Sequence, residues 1–218
     1  MKLFLDTAII KEIDERLESG VISGITTNPT LIKKSGKEPD DIYADLIQEL
    51  GITDLSIEVD GHDAETLIQN GIKYGKLWID KATIKLPCTE DGLAACQYLT
   101  SQHMRVNMTL VFSVNQAILC SMAGATYVSP FVGRLLDNEQ DGVQLVADIA
   151  KVFCNNSSDT QILAASIRDP KTVADCFAAG THICTIPAKV FDAMHKHVLT
   201  DKGLFQFKQD FDANLGSV

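Results

Sequence analysis

The segment ATIKLPCTEDGLAACQYLTSQ, residues 82–102, carries one unit of a repeating design. Ala82, Ile84 and Leu86 form one apolar face of a short strand, and Thr83, Lys85 and Pro87 point the other way. Thr89 then offers a hydroxyl to cap the helix that follows. A lysine inside a strand suited to burial, two residues before the proline that ends it, needs a reason.

The same rhythm runs outward in both directions. "KLFLDT" precedes a helix with Ile10, Ile13 and Leu17 on one face and Gly20 as its stop. "VISGITT" leads into "NPTLIKKSG", opened by Asn28 with Pro29 at its first helical position. "PDDIYADLIQELG" reads as a longer helix. Then come "LSIEV" with "DAETLIQNGIKYG", the quoted unit, and "RVNMTLVF" with a helix capped by Ser113. "ATYVSPFV" is followed by a polar loop and the helix "DGVQLVADIAKVF". "QILAASI" with "DPKTVADCFAAG" and "HICTIP" with "AKVFDAMHKHV" complete eight strand–helix units. Several strands are almost continuously apolar, as a parallel sheet covered by helices requires. A closed (β/α)₈ barrel and an open doubly wound sheet both fit this alternation. Eight units and the lack of a G-x-G-x-x-G after any strand favour the α/β barrel. No Pro/Gly/Ser-rich linker divides the chain, so residues 1–218 read as one barrel domain, with 201–218 an amphipathic C-terminal tail around Phe205, Phe207 and Phe211.

Composition narrows the function classes. The 218 residues are 45% hydrophobic and 22% charged, with a formal net charge of −10. That charge disfavours nucleic acid and anionic membrane surfaces as partners but leaves room for a small anion bound by a few local cations. No apolar run approaches the roughly 20 residues of a membrane span. The N-terminal segment turns acidic too early for a secretory signal. The six cysteines form no C-x-x-C pair and several sit among apolar residues, which points to reduced, mostly buried thiols and a cytoplasmic location. The five histidines show no metal-ligand spacing except "HKH" near the end of the last barrel helix, where they suit the helix dipole better.

Catalytic groups of such barrels come from the C-terminal ends of several strands. Those ends carry Asp6 and Thr7; Thr26, Thr27 and Asn28; Glu58 and Asp60; Lys85; Asn107 and Thr109; Ser129 and Phe131, with Arg134 in the following loop; and Ser166 and Arg168. Each has a plainer reading. Asp6 and Asn28 could cap helices, the hydroxyls could satisfy backbone groups, and the arginines could be surface charges. Lys85 could guard a sheet edge, but a closed barrel has no edge. An inward lysine walled by Ile and Leu is desolvated, which favours a neutral amine able to attack a ketone and form a Schiff base. The proton traffic of such chemistry needs a carboxylate, and Asp6 and Glu58 are the inward candidates. Arg134, Ser166 and Arg168 have the chemistry of a phosphate pocket.

The motifs "FLDTA", "GITTNPTLI", "IEV", "IKLP", "NMTLVFS", "SPFVGR" and "LAASIR" occur in this order over nearly the whole chain. The sequence thereby resembles the small transaldolase family, which includes fructose-6-phosphate aldolase. The resemblance implies a class I mechanism without metal or other cofactor. By it, Lys85 is the imine-forming residue and Asp6 the base that removes the C4 hydroxyl proton. Glu58 and Thr109 hold a proton-relaying water. Asn28 and Asn107 bind the dihydroxyacetone hydroxyls, with Ser129 at the same end and Thr26 and Phe131 as further substrate contacts. Arg134, Ser166 and Arg168 clamp the sugar phosphate. Glu58 and Phe131 stand where the aldolase branch tends to have Gln and Tyr, so the transaldolase branch is favoured. The "GRLLDNEQDG" loop departs from the usual "GR-x-D-D" pattern. The expected activity is transfer of a dihydroxyacetone unit between sugar phosphates in the pentose phosphate pathway. An aldolase releasing dihydroxyacetone and a non-catalytic sugar-phosphate-binding barrel are the competing readings. The resemblance also implies a homo-oligomer, a decamer of two pentameric rings with the tail packed on a neighbour.

Overall fold

Eight parallel strands close on themselves in chain order, each paired with the strands before and after it. The computed structural model describes residues 1–215. Strand β1 (Lys2–Asp6) is followed by α1 (Ile10–Leu17), β2 (Ile22–Thr26), α2 (Pro29–Ser35) and α3 (Pro39–Ala44), which runs into a π-helical turn, Asp45–Glu49. Then come β3 (Leu55–Glu58), α4 (Ala64–Leu77), β4 (Ala82–Pro87), α5 (Glu90–Ser101), β5 (Arg105–Val111) and α6 (Val114–Met122). The second half holds β6 (Tyr127–Pro130), α7 (Val132–Leu136), α8 (Gly142–Asn155), β7 (Gln161–Ala164), α9 (Pro170–Ala178), β8 (Ile183–Ile186), α10 (Ala188–Met194) and α11 (Val198–Leu215). The expected (β/α)₈ barrel is therefore the observed architecture.

Strand alternation divides the apolar residues into two cores. Outward-facing Ile25, Ile57, Ile84, Leu86 and Val106 pack under the helices in one large cluster. A smaller cluster of Phe4, Tyr127, Leu163, Ala165 and Ile183 plugs the barrel interior. Gly24 makes room for that plug, since a Cβ there would lie 2.7 Å from the Phe4 ring. On β4 the apolar face meets helices, and the face bearing Thr83 and Lys85 turns into the barrel.

Helix starts follow local chemistry. Asn28, Thr89 and Ser113 accept from the backbone N–H groups of Leu31, Gly92 and Gln116, as their positions predict. Asp63, Asp141 and Asp169 cap α4, α8 and α9 in the same way. Two expectations need correction. The "polar loop" after β6 is the short helix α7, because Val132, Gly133 and Leu135 are buried and anchor a helical turn; Arg134 rides on it. The tail helix starts at Val198 and follows a break at His195, which ends α10. In a helix Phe205 and Phe207 point to different sides. The apolar stripe is thus Leu204, Phe207 and Phe211, all exposed, with exposed Phe205 on another face. Residues 216–218 of the expected tail lie outside the described residues.

Candidate active site

The C-terminal ends of the strands enclose a cavity of about 130 Å³ lined by Asp6, Thr26, Asn28, Lys85, Asn107, Ser129, Phe131, Arg134 and Ser166, together with Leu163, Ala165 and Thr185. Larger clefts exist on the outside, one of about 430 Å³ between α4 and α5 near the opposite barrel end. Chemistry, not volume, singles out the smaller cavity, because polar groups from seven strands converge there.

Lys85 is buried, with 5% of its surface exposed. Parallel register brings Glu58, Lys85 and Asn107 to one level on β3, β4 and β5. The Lys85 ammonium lies 3.0 Å from Glu58 Oε2 and donates to the Thr27 carbonyl at 3.1 Å. Its immediate surroundings are therefore polar, not the Ile and Leu wall inferred from the strand alone. The Ile and Leu side chains of β4 face the helices, and alternation turns Lys85 inward beside Glu58.

Asp6 faces the same cavity from β1. Burial pushes its carboxyl above the ordinary carboxylate value; the positive charge of Lys85 and a hydrogen bond from Thr26 oppose that shift without overcoming it. Thr26 Oγ1 donates to Asp6 Oδ1 at 2.8 Å and lies 2.6 Å from Thr185 Oγ1. Thr185 was not singled out from the sequence. The signal was present, a hydroxyl at the end of the eighth apolar strand, where the strand-end rule stopped one strand short.

A second chain of hydrogen bonds fixes the amide on β5. Ser129 donates to Asn107 Oδ1 at 2.6 Å, and Asn107 Nδ2 donates to Ser56 Oγ at 3.2 Å. Two residues further along β5, Thr109 is buried and its hydroxyl has no hydrogen-bond partner. The stretch carries a bulge. Met108 pairs with Val128 but the next paired residue is Val111, opposite Pro130, and Leu110 takes a φ of 58°. A bulky residue in the left-handed region is strained, and bulges beside active sites re-aim side chains. Among the described residues Thr109 Oγ1 is one of two buried side-chain polar atoms left open.

At the mouth, Arg134 sits 4.9 Å over the Phe131 ring, which packs edge-on against Phe112 at 5.7 Å. Ser166 lies in the left-handed region at φ 61°. Its carbonyl presses so closely on Gly133 that a Cβ there would come within 1.7 Å. Only glycine lets α7 carry Arg134 to the Ser166 turn. Arg168 is not among the lining residues; it is exposed and paired with Asp137 at 2.5 Å. Glu58 touches Lys85 but, like Thr109, does not line this cavity. The arrangement can hold an amine beside two carboxylates, orient hydroxyls through amide and hydroxyl groups, and meet an anion at an open, cationic rim.

Comparison with known proteins gives the family of the chain. The family model described as Transaldolase/Fructose-6-phosphate aldolase matches residues 3–217. The chain is 46% identical to a "Probable transaldolase" of Symbiobacterium thermophilum over the full length of both. It is also 46% identical to a "Probable transaldolase 2" of Bacillus anthracis over 97% of each chain, and 42% identical to a "Probable transaldolase" of Anaeromyxobacter sp.. Matched over residues 3–217 by the family model and by relatives at 42–46% identity, the chain belongs to the transaldolase/fructose-6-phosphate aldolase family of enzymes.

Proposed function

We propose that the protein is a transaldolase that moves a dihydroxyacetone unit between sugar phosphates through a Schiff base on Lys85. The observation that carries this reading is the buried Lys85 amine, held 3.0 Å from Glu58 inside a cavity that Asp6 also faces. Lys85 in its neutral form attacks the ketone carbon of a ketose phosphate, and water leaves as the imine forms. Thr109, whose buried hydroxyl is open, and Glu58 hold the water that passes protons to and from the imine. Asp6 takes the proton of the C4 hydroxyl as the C3–C4 bond breaks. Its raised pKa makes it a stronger base than an exposed carboxylate, and it is ready to return the proton to the incoming acceptor. Asn28, Asn107 and Ser129 orient the dihydroxyacetone hydroxyls. Arg134 and Ser166 meet the phosphate, and Arg168 joins them once it leaves Asp137.

Transfer is favoured over release of free dihydroxyacetone because Phe131 brings an aromatic ring without a hydroxyl to the cavity wall. Water near the bound carbanion thus has one fewer group to position it. The test is to follow fructose 6-phosphate with and without erythrose 4-phosphate, with borohydride trapping and peptide mass mapping in parallel. Transfer is expected to exceed release, with a three-carbon adduct on the Lys85 peptide, and Phe131→Tyr is expected to shift the ratio several-fold toward release. Release equal to transfer would favour the aldolase reading, and an absent adduct would leave only a binder. The exposed stripe on α11 supports a tail that packs on a neighbouring subunit of a decamer, to be checked by light scattering. No helix among the described residues is long and apolar enough to cross a membrane.

A further inference from the structure

Two cysteines outside the reaction scheme face each other beside the site. Cys88 follows β4 directly, three residues past Lys85, and is half-buried. Cys120, on α6, is fully buried. The Cys120 thiol donates to Cys88 Sγ across 3.5 Å, and Cys88 Sγ also lies 4.0 Å from the Gln116 carbonyl one helical turn earlier. All six cysteines are free. A disulfide brings its sulfurs to about 2.05 Å, so this pair needs a displacement that side-chain rotation and a small backbone shift can supply.

We propose that Cys88 and Cys120 are a redox modification site, closed to a disulfide by a small hydroperoxide and reopened by a dithiol. Cys88 acts first. It is the sulfur that solvent reaches, and the hydrogen bond from Cys120 holds its thiol below the ordinary value while the same bond, with burial, pushes Cys120 up. The Cys88 thiolate attacks the hydroperoxide. An S–O bond forms, the O–O bond breaks, and the reduced half leaves as alkoxide or hydroxide and takes up a proton. Cys88 is now a sulfenic acid, oxidised by two electrons. Cys120 sulfur then attacks Cys88 sulfur, the S–O bond breaks, and the departing hydroxide takes the Cys120 proton to give water.

The position makes the bond consequential. The Cys88 N–H donates to the Thr109 carbonyl at 3.0 Å, so the cysteine is tied to the bulge that aims the Thr109 hydroxyl. The turn beyond Cys88 has no slack, because a Cβ on Gly92 would come within 1.9 Å of the Pro87 carbonyl. Pulling Cys88 toward α6 therefore moves Pro87 and Thr109 instead of being absorbed locally. This last step rests on the role proposed for Thr109; the disulfide itself does not. The molecule also holds internal controls. Cys176 and Cys184 interact with one another but are both fully buried, and Cys154 is exposed without a cysteine partner.

The experiment treats the full chain, in a Cys154→Ser background, with hydrogen peroxide. Alkylation and peptide mass mapping follow, and then dithiothreitol. The expected result is a Cys88–Cys120 cross-link with the mass of two hydrogens lost, reversed by dithiothreitol, and Cys176 and Cys184 still alkylated only after unfolding. Cys88→Ser is expected to abolish the link and keep reduced-state turnover. Oxidation only to sulfinic acid, or a link from Cys120 to Cys96, would overturn the proposal. Turnover is read on the same samples and is expected to fall at least fivefold on closure and return on reduction. A complete cross-link with unchanged turnover would overturn the coupling to Thr109 and leave the disulfide standing.

Discussion

Two polar clusters lie inside the same barrel, each leaving one buried polar atom without a partner (Arg105 Nε in one, the Thr109 hydroxyl in the other), and they differ in what their groups surround. At the N-terminal ends of the strands, buried Asp54 accepts from Thr83 Oγ1 at 2.9 Å, Arg105 at 3.1 Å and Tyr127 at 2.6 Å. Arg105 also donates to the carbonyls of Asp80 and Thr53, at 3.1 and 3.4 Å. Four consecutive strands, β3 to β6, are clamped by this one carboxylate. At the C-terminal ends, Lys85, Asp6 and Asn107 are just as carefully placed, yet they surround a cavity, with Glu58 against Lys85, and the Thr109 hydroxyl is left open. A buried carboxylate taken up by donors from three neighbouring strands ties a fold together, whereas polar groups ranged around a cavity keep bonding capacity for something that enters. On the proposed function, the same residue types thus serve stability at one end of the barrel and chemistry at the other.

That contrast can be broken by substitution, and the largest effect is expected at Lys85. Lys85→Arg keeps the charge next to Glu58 but cannot form an imine. Turnover is expected to fall on the order of 10⁴-fold or more, in line with nucleophile removal in other covalent enzymes, while the thermal midpoint barely moves. A variant that stays active would place the nucleophile elsewhere.

Asp6→Asn comes next. Removing a general acid–base group is expected to lower turnover by about 10²–10⁴-fold. Its stability effect has the opposite sign. The folded-state pKa of Asp6 is raised, so between the ordinary carboxylate value and that raised value the folded protein binds more protons than the unfolded chain. Stability contributed by protonated Asp6 is full below the unfolded value and is lost as pH rises through the folded one. Denaturant titrations over this range are expected to show that decline in the wild type and not in Asp6→Asn, which is at least as stable as wild type at neutral pH. A variant clearly less stable at pH 7 would mean that the carboxylate belongs to the structural kind of cluster.

Asp54→Ala reverses the pattern. It strands Arg105, Thr83 and Tyr127, and is expected to lower unfolding free energy by about 2–4 kcal/mol, with turnover of the folded fraction within a few-fold of wild type. Loss of turnover without loss of stability would erase the distinction between the two ends. The smallest effect sharpens the comparison at the rim. Arg134 is exposed, so its pairing with a phosphate is screened. Arg134→Ala is expected to weaken fructose 6-phosphate binding by about 1–2 kcal/mol and dihydroxyacetone binding far less, read by calorimetry on both ligands. Equal losses would remove Arg134 from the phosphate end.

The eight-unit barrel was legible because its signals are local. Alternation on β4, hydroxyl and carboxylate caps, and polar residues where apolar runs end are all set by neighbours within a few positions. Lys85 was legible for the same reason, as the lysine that strand periodicity turns away from the helices. Only the tertiary structure decided what those groups touch. That Lys85 meets Glu58 and the Thr27 carbonyl depends on register between β3 and β4 and on the approach of β2. Thr109 stands in a bulge that no single strand's pattern reveals, and Arg134 reaches the cavity because Gly133 lets α7 lie against the Ser166 carbonyl. Arg168 was read as part of the clamp from its strand-end position, yet Asp137, more than thirty residues earlier in the chain, holds it outside. The Asp54 clamp and the Cys88–Cys120 pair escaped the sequence reading for the same physical reason. Propensity and periodicity act along the chain, but hydrogen bonds and sulfur contacts between distant segments exist only once closure of the barrel has set the distances.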